Sequence, residues 1–169
     1  MDSNVRYCGI DPSTKTGFVI LNAAANVIYE KEFTSKKTDP ERMIALWEEI
    51  KEHLNPITDK IIIEGFSYGS KGRGVSFQYG FGWVLRTFLY LYGFKFLDVA
   101  PKQLKKFACN NGNASKEDLI ISVKEKWGFD GKTDNTRDAF VLALIGYSMD
   151  NQTDLLDYEK AIIKDLSSK

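Results

Sequence analysis

The sequence predicts an α/β protein in which a mixed five-stranded sheet carries helices on both faces. Short apolar runs rich in β-branched residues alternate with longer segments of helical periodicity, in the order βββαβα followed by βα and further helix. The unbroken isoleucine run at 61–63 is typical of a strand buried on both faces. With 169 residues, 43% of them hydrophobic, the chain can bury a substantial core. We therefore expect one domain over 1–169, in which 151–169 is a polar tail or short helix.

The first third of the chain predicts an antiparallel meander. Apolar runs at 5–10, 18–21 and 27–33 predict three strands. The polar segment 22–26 suits a hairpin connection between the second and third of them.

The middle of the chain predicts a helix, a central strand and a second helix. Asp39 and Pro40 suit the N-cap and first position of a helix whose apolar residues recur at helical spacing as far as Leu54. A strand at 61–64 follows, then a glycine-rich loop and an aromatic helix at about 75–92. Apolar side chains occupy most of the circumference of that second helix. We therefore expect one of its faces to pack on the sheet and the other on a partner subunit.

The last third of the chain predicts one more strand, at 94–99, and several helices. Pro101 begins a short helix, Ser115 and Asp118 form a capping box for the next, and a third helix begins at Asp134. The amphipathic segment that ends the chain is expected to pack loosely or to fray.

Three acidic residues lie where strands end or helices begin. Asp11 follows the first strand, Glu64 ends the 61–64 strand, and Asp138 lies one turn into the last long helix, in line with its apolar face. A carboxylate at the end of a buried strand is costly to keep ionised without a cation. Oxygen ligands of this kind suit Mg²⁺, so the three acids predict a magnesium site.

Each acid also has a purely structural interpretation. Asp11 could cap the turn that follows it, Glu64 could be a solvated strand end, and Asp138 could be an acid favoured by the helix dipole. The joint occurrence of all three favours the metal site.

Composition narrows the possible partners and the compartment. The 23 basic and 23 acidic side chains cancel, which argues mildly against nonspecific attraction to a polyanion, although lysines cluster at 102–106. Cys8 and Cys109 fit no metal-ligand spacing and are expected to be reduced packing residues. Neither a membrane-length apolar run nor a signal-peptide pattern is present, so we expect a cytoplasmic protein without a membrane partner.

Taken together, these segments resemble the RuvC-type Holliday junction resolvases, a branch of the RNase H-like nucleases, and look most like the small members carried by phages. The resemblance covers roughly 5–147 and consists of GIDPSTKTG, IIIE, PKQLKKF with GNASK, and DNTRDAF, in family order. It implies an RNase H-like fold and a crossover junction endodeoxyribonuclease that, as a homodimer, nicks two opposed strands of four-way DNA. It also implies two Mg²⁺ ions per site, which Mn²⁺ can replace, and a bacterial host cytoplasm if a phage encodes the chain. It indicates no particular helicase partner.

The resemblance implies roles for individual acids. Asp11, Glu64 and Asp138 match catalytic and metal-binding positions of the family. The remaining acidic position falls on Asn135, with Asp134 one residue earlier. Either residue can offer an oxygen to the metal, and Asp134 is the preferred candidate because it carries a charge.

Basic and aromatic residues complete the implied DNA interface. Lys105 and Lys116 match basic positions near the cleaved strand, where a lysine can stabilise charge that develops on the phosphate. The family places a base-stacking aromatic close to Phe66 and Tyr68, although the matching position here is Ser67. The remaining DNA-binding candidates are Lys71, Arg73, Lys102 and Lys106. The dimer-interface candidates are Phe77, Tyr79, Trp83 and Tyr90, while Phe77 with its helical neighbours Phe81 and Phe88 also suits a core.

Other interpretations of the same residues stay open. A less selective nuclease that cuts forks or flaps would need the same acids, and a catalytically impaired junction-binding protein would keep the same fold. The lysines at 102–106 could be the solvated face of a helix. The GIDPSTKTG hairpin also looks like the phosphate-binding hairpin of sugar kinases and actin, but those proteins need two such domains, for which 169 residues are too few.

Overall fold

The computed structural model describes residues 4–68, 72 and 74–168, and a five-stranded sheet in the order β3-β2-β1-β4-β5 forms its centre. The strands are β1 (Arg6–Asp11), β2 (Lys15–Leu21), β3 (Val27–Thr34), β4 (Asp59–Glu64) and β5 (Phe96–Val99). The first three form the predicted antiparallel meander. β4 pairs in parallel with β1 and with β5, so the sheet is mixed.

Six helices of the described residues pack on this sheet. They are α1 (Glu41–Lys51), α2 (Val75–Leu91), α3 (Pro101–Cys109), α4 (Lys116–Trp127), α5 (Asp134–Asp150) and α6 (Asp157–Ser167). One hydrophobic core joins one face of the sheet to α1 and α2, and a second core joins the other face to α3, α4, α5 and α6. None of the described helices has the length and apolar character to cross a membrane.

The alternation of side chains along the central strands decides which way the acids face. Ile61 and Ile63 belong to the core with α1 and α2, whereas Ile62 belongs to the core with α5. Because successive strand residues point to opposite faces, Glu64 points to the α5 side. Asp11 also points to the α5 side. It lies four residues after Tyr7 on β1, so the two side chains share a face, and Tyr7 is buried in the core with α5.

Two glycines let α5 lie directly on the sheet. A Cβ atom on Gly9 would come within 1.8 Å of the Ala139 carbonyl oxygen, and one on Gly17 within 1.9 Å of the Asn135 carbonyl oxygen. A side chain at either position would push the helix away. These glycines therefore determine how closely the first two turns of α5 approach β1 and β2.

The expected N-cap of α1 is wrong. The helix begins at Glu41, and the Pro40 before it caps no backbone group with a side chain. The Asp39 carboxylate instead pairs with the Arg42 guanidinium at 2.7 Å. An acid can satisfy its charge with a guanidinium one turn along rather than with the first backbone N–H groups.

The end of the chain packs more closely than its polar sequence predicts. In α6, Ile162, Ile163 and Leu166 are buried in the α5 core. The half-buried Lys126 ammonium also pairs with the buried Glu159 carboxylate at 2.7 Å. The amphipathic pattern was the correct signal, and the expectation of a loose segment was wrong.

Candidate active site

The three predicted acids meet at the carboxyl ends of β1 and β4. Ile10 pairs with Ile63, so the next residues, Asp11 and Glu64, end two adjacent parallel strands. Their side chains are close enough for each to change the pKa of the other, and Asp11 is only 5% exposed. Asp138 lies near them, one turn into α5, close enough for its charge to act on both.

Burial and mutual repulsion raise the pKa of all three carboxyl groups. Loss of water contact raises the pKa of Asp11 well above its usual range, and the Glu64 charge raises it further. Burial, followed by the Asp138 charge, raises the pKa of Glu64 to about 7. Burial, with the charges of Asp11 and Asp134, raises the pKa of Asp138 to about 7. Carboxyl groups this close do not all ionise near neutral pH without a compensating cation.

The chemistry of these donors fits a divalent cation. The raised pKa of Asp11 and of Glu64 means that this pair of carboxyl groups keeps a proton near neutral pH, and a bound cation would replace that proton. Within the described residues, no three acidic, histidine or cysteine side chains are already arranged around one ion position. Asp11, Glu64 and Asp138 are the residues that could hold Mg²⁺ after small side-chain adjustments, because their oxygens are the ligands it prefers.

Two lysines border the acids. The Lys105 ammonium donates to the Ala114 carbonyl oxygen at 2.8 Å, which ties α3 to the turn before α4. Its charge opposes the rise in the pKa of Glu64 and Asp138, and Lys116 at the start of α4 does the same for Asp138. Both predicted lysines therefore lie within electrostatic range of the acids.

The two candidates for the fourth metal ligand have different neighbours. The Asp134 carboxylate pairs with Lys116 at 3.1 Å and with Arg137 at 2.8 Å. The Asn135 Nδ2 donates to a carboxylate oxygen of Glu32, on β3, at 2.9 Å. Asp134 therefore has both oxygens on cations of the chain itself, and Asn135 is held by an acid that sequence reasoning had not selected.

The other basic candidates are either exposed on α3 or outside the residues that the structure describes. Lys102 and Lys106 are exposed on α3, as a solvated helix face would be. Lys71 and Arg73 lie outside the described residues. The contribution of these four lysine and arginine residues to DNA binding stays a prediction.

An aromatic cluster follows Glu64 directly. The Phe66 ring stacks on Tyr79 and packs against Trp83, with centroid distances of 5.2 Å in both pairs. The Arg86 guanidinium also lies over the Phe66 ring, at 4.5 Å from the ring centroid. Tyr68 is 84% exposed at the edge of the cluster.

Arg86 is a second residue that sequence reasoning missed. It is buried, and it donates to the Glu64 backbone oxygen at 3.1 Å and to the Gly82 oxygen at 2.8 Å. Its guanidinium also pairs with Asp98 on β5. The available signal was that Arg86 is the one charged residue in an otherwise apolar and aromatic helix, which indicates a specific buried partner.

One of the four residues expected at the dimer interface, Phe77, does not lie on the surface. Phe77 is buried in the core of its own chain beside Phe81, so its assignment to an intersubunit contact is wrong. Tyr79 is partly covered by Phe66. Trp83 and Tyr90 remain 61% and 78% exposed.

Two solved structures share this architecture. The structure of Thermus thermophilus RuvC matches with a TM-score of 0.67 and 17% sequence identity, covering 88% of this chain and 98% of that one. The structure of T. thermophilus RuvC in complex with a Holliday junction substrate matches with a TM-score of 0.68 and 16% identity, covering 90% and 99%. The likeness is one of fold. It confirms the RNase H-like mixed five-stranded sheet with helices on both faces. No protein-family model matches the chain. No curated protein sequence matches it either.

Proposed function

We propose that this protein is a Mg²⁺-dependent endonuclease that cuts branched DNA, with four-way junctions as its principal substrate. The observation that carries the proposal is the meeting of Asp11, Glu64 and Asp138 at the strand ends of a RuvC-like sheet. Further support comes from a solved neighbour of this fold that is described in complex with a Holliday junction substrate. The phage origin and the cytoplasmic location expected from the sequence stay predictions.

The acids would hold the cation, and the lysines would act on the phosphate. When bound, Mg²⁺ supplies activation of water and stabilisation of the leaving oxygen in phosphodiester hydrolysis, and Mn²⁺ can replace it. The Lys105 ammonium, fixed by its bond to Ala114, can stabilise charge that develops on the phosphate. The Lys116 side chain is more exposed. If it releases Asp134, its ammonium can bind a phosphate next to the one that is cleaved.

Cation binding and proton release are coupled at this site. Because burial raises the pKa of Glu64 and of Asp138 to about 7, both carboxyl groups hold protons in the metal-free protein below that pH. A cation must displace those protons, so metal affinity rises as the pH rises through about 7. Cleavage should follow the same dependence.

A homodimer would place two such sites on one junction. A four-way junction has two-fold symmetry, and an isologous dimer presents two identical sites to two opposed strands. The exposed Trp83 and Tyr90 on α2 suit such a contact because aromatic residues are enriched in the centres of protein interfaces. We propose that the exposed Tyr68 stacks on a base at the opened crossover, and that Phe66, which is stacked on Tyr79 and covered by Arg86, supports it from the protein side.

A substrate panel tests the proposal. End-labelled four-way junction, replication fork and linear duplex are incubated with wild type or Glu64→Gln in Mg²⁺. Paired symmetric nicks in the junction alone, abolished by the substitution, are the expected result. Equal cutting of forks would favour the broader branched-DNA nuclease. Junction binding without any metal-dependent cutting would contradict the nuclease and favour the impaired binding protein.

A further inference from the structure

Glu32 lies in the same row of the sheet as Asp11. Asp11 pairs with Gly17 across β1 and β2, and Gly17 pairs with Glu32 across β2 and β3. Residues paired in this way point to the same face, so both carboxylates lie on the α5 side with a glycine between them. The Glu32 charge reaches the site, where it contributes to the raised pKa of Asp11.

The space above Gly17 is taken by the first turn of α5. Asn135 approaches Gly17 so closely that its backbone oxygen would overlap a Cβ atom there. From this position the Asn135 side chain reaches sideways to Glu32, and Nδ2 donates to the carboxylate at 2.9 Å. Glu30, two residues earlier on the same face of β3, accepts the backbone N–H of Lys132 at 2.9 Å. Two glutamates of β3 thus hold the segment that begins α5.

The chemistry of the Glu32 contact fixes the orientation of the amide. An ionised carboxylate only accepts hydrogen bonds, so Asn135 must turn its NH₂ group to Glu32. The carbonyl oxygen Oδ1 is then the amide atom free of the Glu32 contact, and it is the only atom of that amide that can bind a hard cation. The Asp134 carboxylate, by contrast, is shared between two cationic side chains.

We propose that Glu32 belongs to the cation site as a positioning residue, which supplies a negative charge beside Asp11 and orients Asn135 at the start of α5. This inference rests on the proposed function, because it assumes that the acids hold a divalent cation. It deepens that function by assigning the fourth position to Asn135 under the control of Glu32.

The pair permits a charge-swap experiment. Glu32→Gln removes the charge, and Asn135→Asp places a second carboxylate against the first. The double variant Glu32→Gln/Asn135→Asp keeps the net charge and the hydrogen bond but reverses the direction of donation. Glu30→Gln is the matched control, since it removes a charge from the same face of β3 and its amide oxygen can still accept from Lys132.

Two readouts are measured, and neither needs DNA cleavage. Calorimetry with Mn²⁺ should show roughly tenfold weaker binding for Glu32→Gln, as is usual when a group that orients a metal site is removed, with little change for Glu30→Gln. In EDTA, Asn135→Asp should lower the midpoint of thermal unfolding by about 2–4 °C, because two carboxylates then face each other. The double variant should return both quantities close to wild type.

The outcomes separate this inference from the proposed function. If wild type binds Mn²⁺ and Glu32→Gln binds it equally well, Glu32 is not part of the site, while the proposed nuclease stands. Strictly additive effects of the two substitutions would also overturn the pairing. A wild type that binds no Mn²⁺ would overturn the cation site and this inference together.

Discussion

The substitution Glu64→Gln should stabilise the metal-free protein at alkaline pH. Burial raises the pKa of Glu64 from 4.5 to about 7. Between those two pH values the folded protein holds a proton that the unfolded chain has already released, so stability falls as the pH rises through this window and then levels off. Because the neighbouring Asp11 carboxyl competes for the same proton, a shift of this size corresponds to at most about 3 kcal/mol above pH 7.

Glutamine should recover most of this free energy. It carries no charge to desolvate, and its NH₂ group can donate to the neighbouring Asp11 carboxylate. In EDTA at about pH 8, the midpoint of thermal unfolding should rise by about 6–12 °C above wild type, and at about pH 4 the two proteins should unfold together. Glu125→Gln, at an exposed position on α4, is the control and should change neither midpoint.

Magnesium should reverse the order of stability. At a concentration about 1,000-fold above the dissociation constant, a bound cation stabilises wild type by about 4.1 kcal/mol, which exceeds the gain of about 3 kcal/mol from the substitution, whereas the variant has lost one of the binding acids. A Glu64→Gln variant that is no more stable than wild type in EDTA at alkaline pH would contradict the raised pKa of Glu64. A stability difference that is the same at both pH values would contradict it as well.

Three further substitutions test other parts of the account. Lys105→Met should slow junction cleavage by roughly 10²–10³-fold while Lys160→Met, at an exposed position on α6, stays near wild type, and equal rates for the two would remove Lys105 from the site. Arg86→Met should lower the free energy of unfolding in urea by about 2–3 kcal/mol, because charge-assisted bonds to the backbone oxygens of Gly82 and Glu64 are lost; an unchanged value would contradict that role. Trp83→Glu should convert a dimer to monomers in sedimentation, whereas Ile121→Glu, exposed on α4, should not, and a dimer that survives Trp83→Glu would place the contact elsewhere.

The acids could be found from the sequence because the signal for each is local. An unbroken apolar run predicts a buried strand, and the residue that ends it marks a strand end whichever strands are its neighbours. The parallel pairing of β1 and β4 then brings Asp11 and Glu64 together. The capping box of Ser115 and Asp118 is equally local, and it is confirmed.

The missed residues depend on contacts between distant parts of the chain. Glu32 and Asn135 are 103 positions apart, and their hydrogen bond exists only because Gly17 lets α5 approach the sheet. The alternation in β3 indicated that Glu30 and Glu32 share a face, but not that a helix end covers it. On α2, apolar side chains occupy most of the circumference, so their spacing did not show that Phe77 faces the core of its own chain.

Cleavage of a four-way junction by wild type and Asp138→Asn, with and without Mg²⁺, tests the central claim most directly. Asp138 lies on α5, where asparagine keeps the shape of the side chain and removes the charge. We expect paired nicks from wild type only with Mg²⁺, and a loss of cutting in the variant while junction binding is retained. Cutting by Asp138→Asn at the wild-type rate, or cutting by wild type in EDTA, would contradict a metal-dependent site built on these acids.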